Sequence, residues 1–181
     1  MIEMKYFVFV LLTALLLVAG CNEPVEQPQG KGTLILSITN DSIEGLDKIF
    51  VTFSSFEVHK TFPEEEWLDF SSQEKEFDLI VLQSDEAIKG FIGEKEINSG
   101  NFDKIRFELK EFMVRINGSD YYLELPSEKI EVKRDFEVST DLTTEMIINF
   151  SSKSVVLSNG EYKLVPRVSL LTEKEFKQKY S

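Results

Sequence analysis

An alternation of apolar and polar residues runs through most of the chain and limits the folds open to it. In residues 33–39, TLILSIT, apolar side chains recur at every second position from Leu34 to Ile38. Segments 102–109 (FDKIRFEL) and 143–150 (TTEMIINF) repeat this spacing. Successive side chains of a strand point to opposite faces, so the spacing predicts strands with one buried face. Such segments, at regular intervals, predict an all-β fold, an antiparallel β-sandwich of about eight to ten strands.

Three local signals refine this prediction. Asn117 and Gly118 separate two strand-like runs, and both residue types tolerate positive φ, so we expect a tight hairpin there. The apolar parity shifts between Phe53 and Phe56, which predicts a bulge or a strand passing between two packing environments. Pro166 interrupts the last apolar run and predicts an edge strand or a bulge.

Helical signals are confined to two short segments. Residues 84–93, SDEAIKGFIG, begin with a capping serine, continue with two acidic residues and end in glycine, so they predict the one short helix. In the C-terminal tail, 173–181, Glu175 follows Thr172 at the spacing of a capping box. That tail is interpreted either as a frayed helical turn or as a solvated extension.

The charge of the chain excludes one class of partner. Lys and Arg number 20 against 32 Asp and Glu, which leaves a net charge of -12 and a pI near 4.6. An acidic surface repels phosphate backbones, so we expect no nucleic-acid binding. Solubility, cation binding and a basic partner all fit this charge equally well.

The N-terminal segment 1–20 has the pattern of a signal peptide. Residues 6–17, YFVFVLLTALLL, are almost wholly apolar. A membrane-spanning helix needs about 20 such residues, so this run is too short, but it matches the apolar region of a signal peptide. The alternatives are an uncleaved transmembrane anchor and an ordinary secretory signal.

The end of that segment, Val18 to Cys21, resembles a lipobox, the site where prokaryotes attach diacylglycerol to a cysteine. The resemblance implies cleavage between Gly20 and Cys21 and a lipid anchor on the Cys21 sulfur. Several acyl chains are enough for stable membrane attachment. Cys21 is the single cysteine of the chain, so no disulfide competes for it. We therefore expect an extracytoplasmic protein that meets the membrane through Cys21.

The rest of the chain divides into three segments. Residues 21–31 contain two prolines and mostly polar side chains, which predicts a flexible tether. Residues 32–172 carry the alternating pattern and are expected to form the β-sandwich domain. Residues 173–181 are the tail.

The order and spacing of several segments resemble a family common among prokaryotic lipoproteins, the domain of unknown function 4382. The segments that carry the resemblance are GTLILSITND (32–41), LDKIFVTFSSFEVHK (46–60), Trp67, DLIVLQ (78–83), INSGNFDKIRFEL (97–109) and SSKSVVLSNGEYKLVPRVSLL (151–171). The Gly-x-Tyr at 160–162 and the proline at 166 lie where the family has them. The resemblance implies a β-sandwich and a lipoprotein location. It brings no catalytic motif.

Catalytic signals are sparse. His59 is the single histidine, and its parity places it with Ser55 and Glu57 on the polar face of a strand. No nucleophile or orienting partner is recognisable near it in the sequence, so we expect a surface or rim histidine rather than a catalytic base. Zinc sites need several His or Cys ligands. No Gly-x-Ser-x-Gly motif or phosphate-binding glycine loop is present. We therefore expect a protein that is not an enzyme and uses no cofactor.

Acidic and aromatic residues suggest weaker alternatives. Asp41, Glu44 and Asp47 could form a loose calcium loop, although a polar turn explains them too. The acidic run 64–66 predicts a solvated hairpin tip.

Two adjacent tyrosines suggest a sugar-binding alternative. Tyr121 and Tyr122 are neighbours on a strand, so we expect one in the core and one at the surface. A surface tyrosine together with Trp67 could stack on a sugar.

Three asparagines, Asn40, Asn117 and Asn149, begin glycosylation sequons. These sequons matter only if the source glycosylates asparagine. For Asn117, the expected turn is a sufficient explanation of the residue.

The sequence thus favours a lipid-anchored, extracytoplasmic envelope protein that acts as a non-enzymatic binding or structural module. Its partner would be an envelope protein, a glycan or a cation. The alternative is a carbohydrate- or calcium-binding module for adhesion or envelope assembly. An envelope hydrolase is the least favoured interpretation.

Overall fold

A computed structural model describes residues 30–41, 46–83, 88–126 and 129–179. Within these ranges the chain forms twelve strands and one α-helix. The strands are β1 Lys31–Asn40, β2 Lys48–Phe62, β3 Glu66–Ser71, β4 Lys75–Asp78, β5 Gly90–Asn98, β6 Gly100–Ile116, β7 Ser119–Tyr122, β8 Ile130–Val138, β9 Thr143–Phe150, β10 Val155–Ser158, β11 Glu161–Leu164 and β12 Val168–Thr172; the helix is α1, Glu173–Lys179. Gly20, Cys21 and Glu44, with the predictions made for them, lie outside the described residues.

Two sheets enclose the core, and a hairpin lies beside them. One sheet has the order β12-β9-β1-β5, and the other has the order β3-β2-β6-β7 with β4 paired to β2 and β8 paired to β6. Strands β10 and β11 form a two-stranded sheet. The all-β sandwich predicted from the alternation is confirmed.

One strand pair departs from the antiparallel pattern, because β1 and β9 run parallel. Parallel strands are usually covered on both faces. The inner face of β9 carries Met146 and Ile148, and Ile147 on its other face is buried as well. On β1, the hydroxyl of Thr39 donates to the carbonyl oxygens of Leu82 and Ile88 at 3.3 and 3.2 Å. Leu82 and Ile88, which precede β5 in the chain, therefore lie against the outer face of this sheet.

Phenylalanine rings fill the centre of the sandwich. Phe53 contacts Phe56, Phe107 and Phe150, with ring centres 5.0, 5.3 and 6.1 Å apart. Phe53 and Phe56 face the same core although they are an odd number of residues apart. The pairing of β2 with β6 shifts register on both sides of Phe53. The bulge predicted from the parity shift is confirmed.

The helix expected over 84–93 is wrong where the structure describes it. Gly90–Gly93 belong to β5 and pair with Leu36–Ile38 of β1. A Cβ atom at Gly90 would lie 2.7 Å from the ring of Phe77, so this strand approaches its neighbours too closely for a larger residue. Pairing along the edge of β1 therefore overrides a weak helical pattern that contains two glycines.

The C-terminal tail is helical rather than solvated over Glu173–Lys179. The Thr172 N–H donates to Glu175 Oε2 at 2.9 Å, and the Glu175 N–H donates to Thr172 Oγ1 at 3.4 Å. This is the capping box that the spacing indicated. The Thr172 N–H and the Arg134 guanidinium lower the pKa of Glu175 to about 2. Phe176 is buried on the inner side of the helix.

The two turn signals differ in outcome. Asn117 and Gly118 have φ of 49° and 78° and join β6 to β7, so the predicted hairpin is confirmed. Pro166 lies in the connection between β11 and β12, which belong to different sheets. The final apolar run is therefore two strands divided at the proline.

Candidate functional site

Two regions of the surface gather the residues that could bind or react. The first, the His59 cluster, lies on the outer face of the six-stranded sheet and contains His59, Glu65, Trp67, Asp103 and Arg106. The second, the tyrosine groove, lies between β7 and β11 and is lined by Tyr121, Tyr122 and Tyr162 among others.

The His59 cluster is built by register across three strands. His59 of β2 pairs with Trp67 of β3 on one side and with Lys104 of β6 on the other. Side chains of directly opposed residues lie on the same face, so the three side chains form a row on the polar side of the sheet. The imidazole ring lies 4.7 Å from the indole ring of Trp67.

The sequence predicted a surface or rim histidine, but His59 is buried and only 5% exposed. Its Nδ1 lies 2.6 Å from Asp103 Oδ1, and its Nε2 lies 3.4 Å from Glu65 Oε1. Glu65 comes from the acidic run 64–66, which forms the predicted exposed tip between β2 and β3. Parity placed His59 on the polar face correctly. The acidic tip and the Trp67 ring cover His59. The residue pattern of one strand predicts the face that a side chain takes, and not whether another element covers that face.

The contacts described for His59 do not form a catalytic set. An orienting carboxylate, Asp103, is present, and sequence reasoning missed it. The other contacts are the Glu65 carboxylate and the Trp67 indole, neither of which is a hydroxyl or thiol nucleophile. The described contacts of the buried His59 are thus two carboxylates and an aromatic ring.

Arg106 belongs to the same cluster and lies in the row of side chains next to that of His59. Its Nε and Nη2 donate to the two carboxylate oxygens of Glu57 at 2.8 and 2.9 Å. Its guanidinium carbon lies 3.8 Å from the centre of the Trp67 ring, a cation–π contact. Lys129 Nζ also contacts Glu57, at 2.5 Å. Hydrogen bonds from Arg106, followed by those from Lys129, lower the pKa of Glu57 from 4.5 to about 2 against the opposing effect of burial.

The tyrosine groove has the opposite character. Its volume is about 690 Å³, and its two walls are residues 120–126 and residues 160–164. Tyr121 is 43% and Tyr122 is 68% exposed, so the expectation that one of them belongs to the core is wrong. The rings of Tyr121 and Tyr162 lie 5.4 Å apart and link the two walls.

Charged residues at the groove are mostly acidic. Asp120, Glu124 and Glu161 line it together with one cation, Lys163. Asp120 accepts two hydrogen bonds from Arg115, at 2.6 and 2.9 Å, which lower the pKa of Asp120. The groove thus combines exposed aromatic rings with an excess of negative charge.

A second Asn-Gly turn forms one end of this groove. Asn159 and Gly160 have φ of 53° and 82° and join β10 to β11. The sequence carries the same dipeptide signal here as at the first hairpin. That signal was available and would have placed Tyr162 on a short hairpin.

The suggested sugar platform of Trp67 with a tyrosine is not formed. Trp67 lies on β3 and the tyrosine pair on β7, at opposite ends of the strand order in this sheet. Trp67 contacts His59 and Arg106, whereas Tyr121 contacts Tyr162.

The residues proposed for a calcium loop have other partners where they are described. Asp41 Oδ1 accepts hydrogen bonds from Lys179 and Asn149. Asp47 Oδ2 accepts the N–H of Gly118 at 3.1 Å. A cation at Asp41 would have to displace the Lys179 ammonium. Among the described residues, no three His, Cys, Asp or Glu side chains are grouped so that they could hold a metal ion.

Burial separates the three sequons. Asn40 and Asn149 are 0% and 4% exposed, whereas Asn117 is exposed at its turn. A glycan could therefore reach the folded domain only at Asn117. None of the helices in the described ranges has the length and hydropathy needed to cross a membrane.

Comparison with known proteins gives one family. A family model with the description "Domain of unknown function (DUF4382)" matches residues 31–166. No curated protein matches the chain. Among solved structures, a leucine-rich repeat protein from Bacteroides thetaiotaomicron VPI-5482 is similar over 66% of this chain and 13% of its own, at 11% identity and a TM-score of 0.33. The chain therefore spans about an eighth of the length of that protein.

Proposed function

This chain belongs to the family described as Domain of unknown function (DUF4382), and we propose from its own residues that it is a lipid-anchored, extracytoplasmic, non-enzymatic binding module. The tyrosine groove is the observation that carries the binding role. Ligand sites are concave and combine apolar surface with placed polar groups. The groove places exposed tyrosine rings beside charged side chains. In the His59 cluster, by contrast, the polar groups already contact one another.

The lipid anchor rests on the sequence at Val18 to Cys21. A diacylglycerol on the Cys21 sulfur, followed by the mostly polar residues 22–29, would hold the domain near the membrane surface and leave its groove open to partners.

The anchor is tested by the variant Cys21→Ser in the full-length protein. We expect the variant to leave the membrane fraction or to remain unprocessed with its signal segment attached. The matched control, Ser55→Ala, changes a side chain of similar size far along the chain and should fractionate like the wild type. A Cys21→Ser protein that fractionates and migrates like the wild type would show that the anchor is wrong.

The binding role is tested by site-specific photocrosslinking in intact cells. Tyr122→p-benzoylphenylalanine places the reactive group in the groove, and Leu142→p-benzoylphenylalanine places it on the exposed turn between β8 and β9, outside the groove lining. We expect discrete crosslinked species from position 122 and none from position 142. Equal patterns from the two positions would contradict a groove-centred role.

A carbohydrate-binding module is the second candidate, favoured by the exposed rings of Tyr121 and Tyr122. Tyrosine presents a rigid apolar face with a polar tip, which suits sugar rings. Binding of wild-type protein, but not of Tyr122→Ala, to members of a glycan panel would support this candidate. Uniform absence of binding across the panel would remove it.

A further inference from the structure

We propose that the tyrosine groove binds an extended, positively charged peptide segment of a partner protein as an added β-strand between β7 and β11. The inference rests on the proposed function, because it names the class of partner for the same groove. Its basis is the direction of the backbone groups on the two walls.

The first wall is the free edge of β7. The Leu123 N–H donates to the Phe112 carbonyl of β6 at 2.9 Å. Backbone groups of an antiparallel strand alternate between its two sides. Odd-numbered residues of this wall therefore direct their N–H and C=O groups to β6. Asp120, Tyr122 and Glu124 direct theirs away from β6.

The second wall is the free edge of β11. The Val165 N–H donates to the Ser154 carbonyl at 2.8 Å, beyond the ladder that joins β11 to β10. By the same alternation, Glu161 and Lys163 face β10. Tyr162 and Leu164 direct their backbone groups away from it.

Both free edges border one groove, and within the described ranges no backbone hydrogen bond joins them. Unpaired strand edges are templates for another strand. A peptide laid between them would gain main-chain hydrogen bonds on two sides, while the tyrosine rings would contact alternate side chains. A glycan would use the rings but leave both edges unpaired, which is why a peptide fits the groove better.

The charged side chains of the two walls favour a positively charged peptide and disfavour self-association of this chain. Among the described residues of the lining, Glu124 and Glu161 outnumber the cation Lys163, while Asp120 is paired with Arg115. Two copies of this chain paired edge to edge would bring these carboxylates together, and opposed like charges are destabilising. Lysine or arginine side chains on a peptide would meet both carboxylates and tyrosine faces.

The length of the walls sets the length of the segment. Strands β7 and β11 have four residues each. At roughly 3.3 Å per residue, the groove takes a strand of about four to six residues.

The first experiment selects binders from a displayed library of random ten-residue peptides, using the purified domain. We expect wild-type protein to enrich sequences with lysine or arginine alternating with apolar residues. Tyr162→Ala should weaken binding of a selected peptide by roughly tenfold or more, since the ring links both walls. Leu142→Ala, an exposed change outside the groove lining, should bind like the wild type. No enrichment over the Tyr162→Ala protein, or enrichment of acidic peptides, would overturn the inference.

The second experiment measures hydrogen exchange by NMR with a selected peptide. We expect new protection at the amides of Asp120, Tyr122 and Tyr162, with that of Tyr121 unchanged because it already faces β6. Glu124→Pro removes one edge donor and should weaken binding more than Glu124→Gln, which removes only the charge. Binding without this alternate-residue protection would contradict strand addition.

The outcomes separate this inference from the proposed function. Binding to the glycan panel by a protein that selects no peptide would overturn the peptide inference and leave the binding role standing. Binding of peptide by a protein whose Cys21→Ser variant stays in the membrane fraction would overturn the anchor alone.

Discussion

Two arginine–carboxylate pairs with the same bidentate geometry show how the two regions differ. In the His59 cluster, Arg106 and Glu57 have side chains only 24% and 18% exposed, and Arg106 also lies over Trp67. At the tyrosine groove, Arg115 and Asp120 are each 37% exposed. Water weakens the second pair more than the first. The Arg106–Glu57 pair helps to cover the outer face of the six-stranded sheet, whereas the Arg115–Asp120 pair leaves the adjacent groove exposed to solvent.

A cluster of residue types that often bind or react therefore does not by itself indicate a functional site. The His59 cluster contains a histidine, an indole, carboxylates and cations, yet the contacts described for them are with one another. In the groove, Tyr121 and Tyr162 contact each other, but within the described ranges the outer edges of β7 and β11 pair with no strand. Unsatisfied surface, rather than reactive residue types, is what indicates binding.

The largest effect on stability should come from removing the centre of the His59 cluster. His59→Ala leaves a cavity beside Trp67 and removes the partner of Asp103, so we expect a loss of about 2–4 kcal/mol in the free energy of unfolding. Tyr122→Ala, the matched aromatic change in the groove, should alter it by less than about 0.5 kcal/mol. Urea unfolding measures both. Equal losses of stability would contradict the distinction between a structural His59 cluster and an open tyrosine groove.

The two arginines provide the next test. Arg106→Ala removes two charge-assisted hydrogen bonds and the cover of Trp67, and we expect a loss of about 1–3 kcal/mol. Arg115→Ala should lower the melting temperature much less, because its pair is more exposed. Arg106→Lys should restore the stability only in part, since an ammonium cannot form both hydrogen bonds and lie flat over the indole. Calorimetry of the three variants measures the order.

Acid should weaken the His59 cluster through Glu57. Its pKa is about 2 in the folded chain and 4.5 ordinarily. The group thus contributes full stability above about pH 4.5, and this contribution is lost as the pH falls towards 2. We expect Glu57 to contribute about 1–3 kcal/mol to the free energy of unfolding, and this contribution to be lost over that pH range.

Unfolding of wild-type and Glu57→Gln protein between pH 5 and pH 2 measures this contribution. The difference between the two proteins should shrink as the pH falls. A difference that stays constant with pH would contradict the assignment to Glu57.

The smallest effect compares the two Asn-Gly turns. Gly118 and Gly160 both have positive φ, and a Cβ atom added at either would have no neighbouring atom within 4 Å. Alanine at either position therefore meets no clash but strains the backbone by about 1 kcal/mol. Gly118→Ala should lower global stability, because β6 and β7 belong to the large sheet. Gly160→Ala should chiefly speed hydrogen exchange in β10 and β11, which form a separate hairpin. Equal changes in global stability would show that the hairpin unfolds with the sandwich.

Much of the fold follows from short-range patterns. The alternation predicted the strands, the parity shift at Phe53 and Phe56 predicted the bulge, and Asn117–Gly118 predicted the hairpin. The spacing of Thr172 and Glu175 indicated the capping box. Each of these signals acts between residues a few positions apart, so one sequence is enough to reveal it.

The candidate sites were not predictable in the same way. His59 was expected at the surface because parity reports which face a side chain takes, and not what covers that face. The tyrosines were expected to divide between core and surface, yet the end of β7 lies beside the groove and leaves both exposed. The helix expected at 84–93 failed from Gly90 onward, since pairing with β1 outweighed the local preference.

Local patterns in the sequence were sufficient to indicate where strands form, which of their faces are apolar and where the chain turns, because periodicity and turn chemistry are local properties. The tertiary structure alone established that β1 pairs parallel to β9, that Asp103 meets His59, and that Tyr121 meets Tyr162. These contacts join residues more than 40 positions apart. They form because burial and hydrogen-bond pairing are satisfied over the whole domain, and no local pattern records which distant partner will satisfy them.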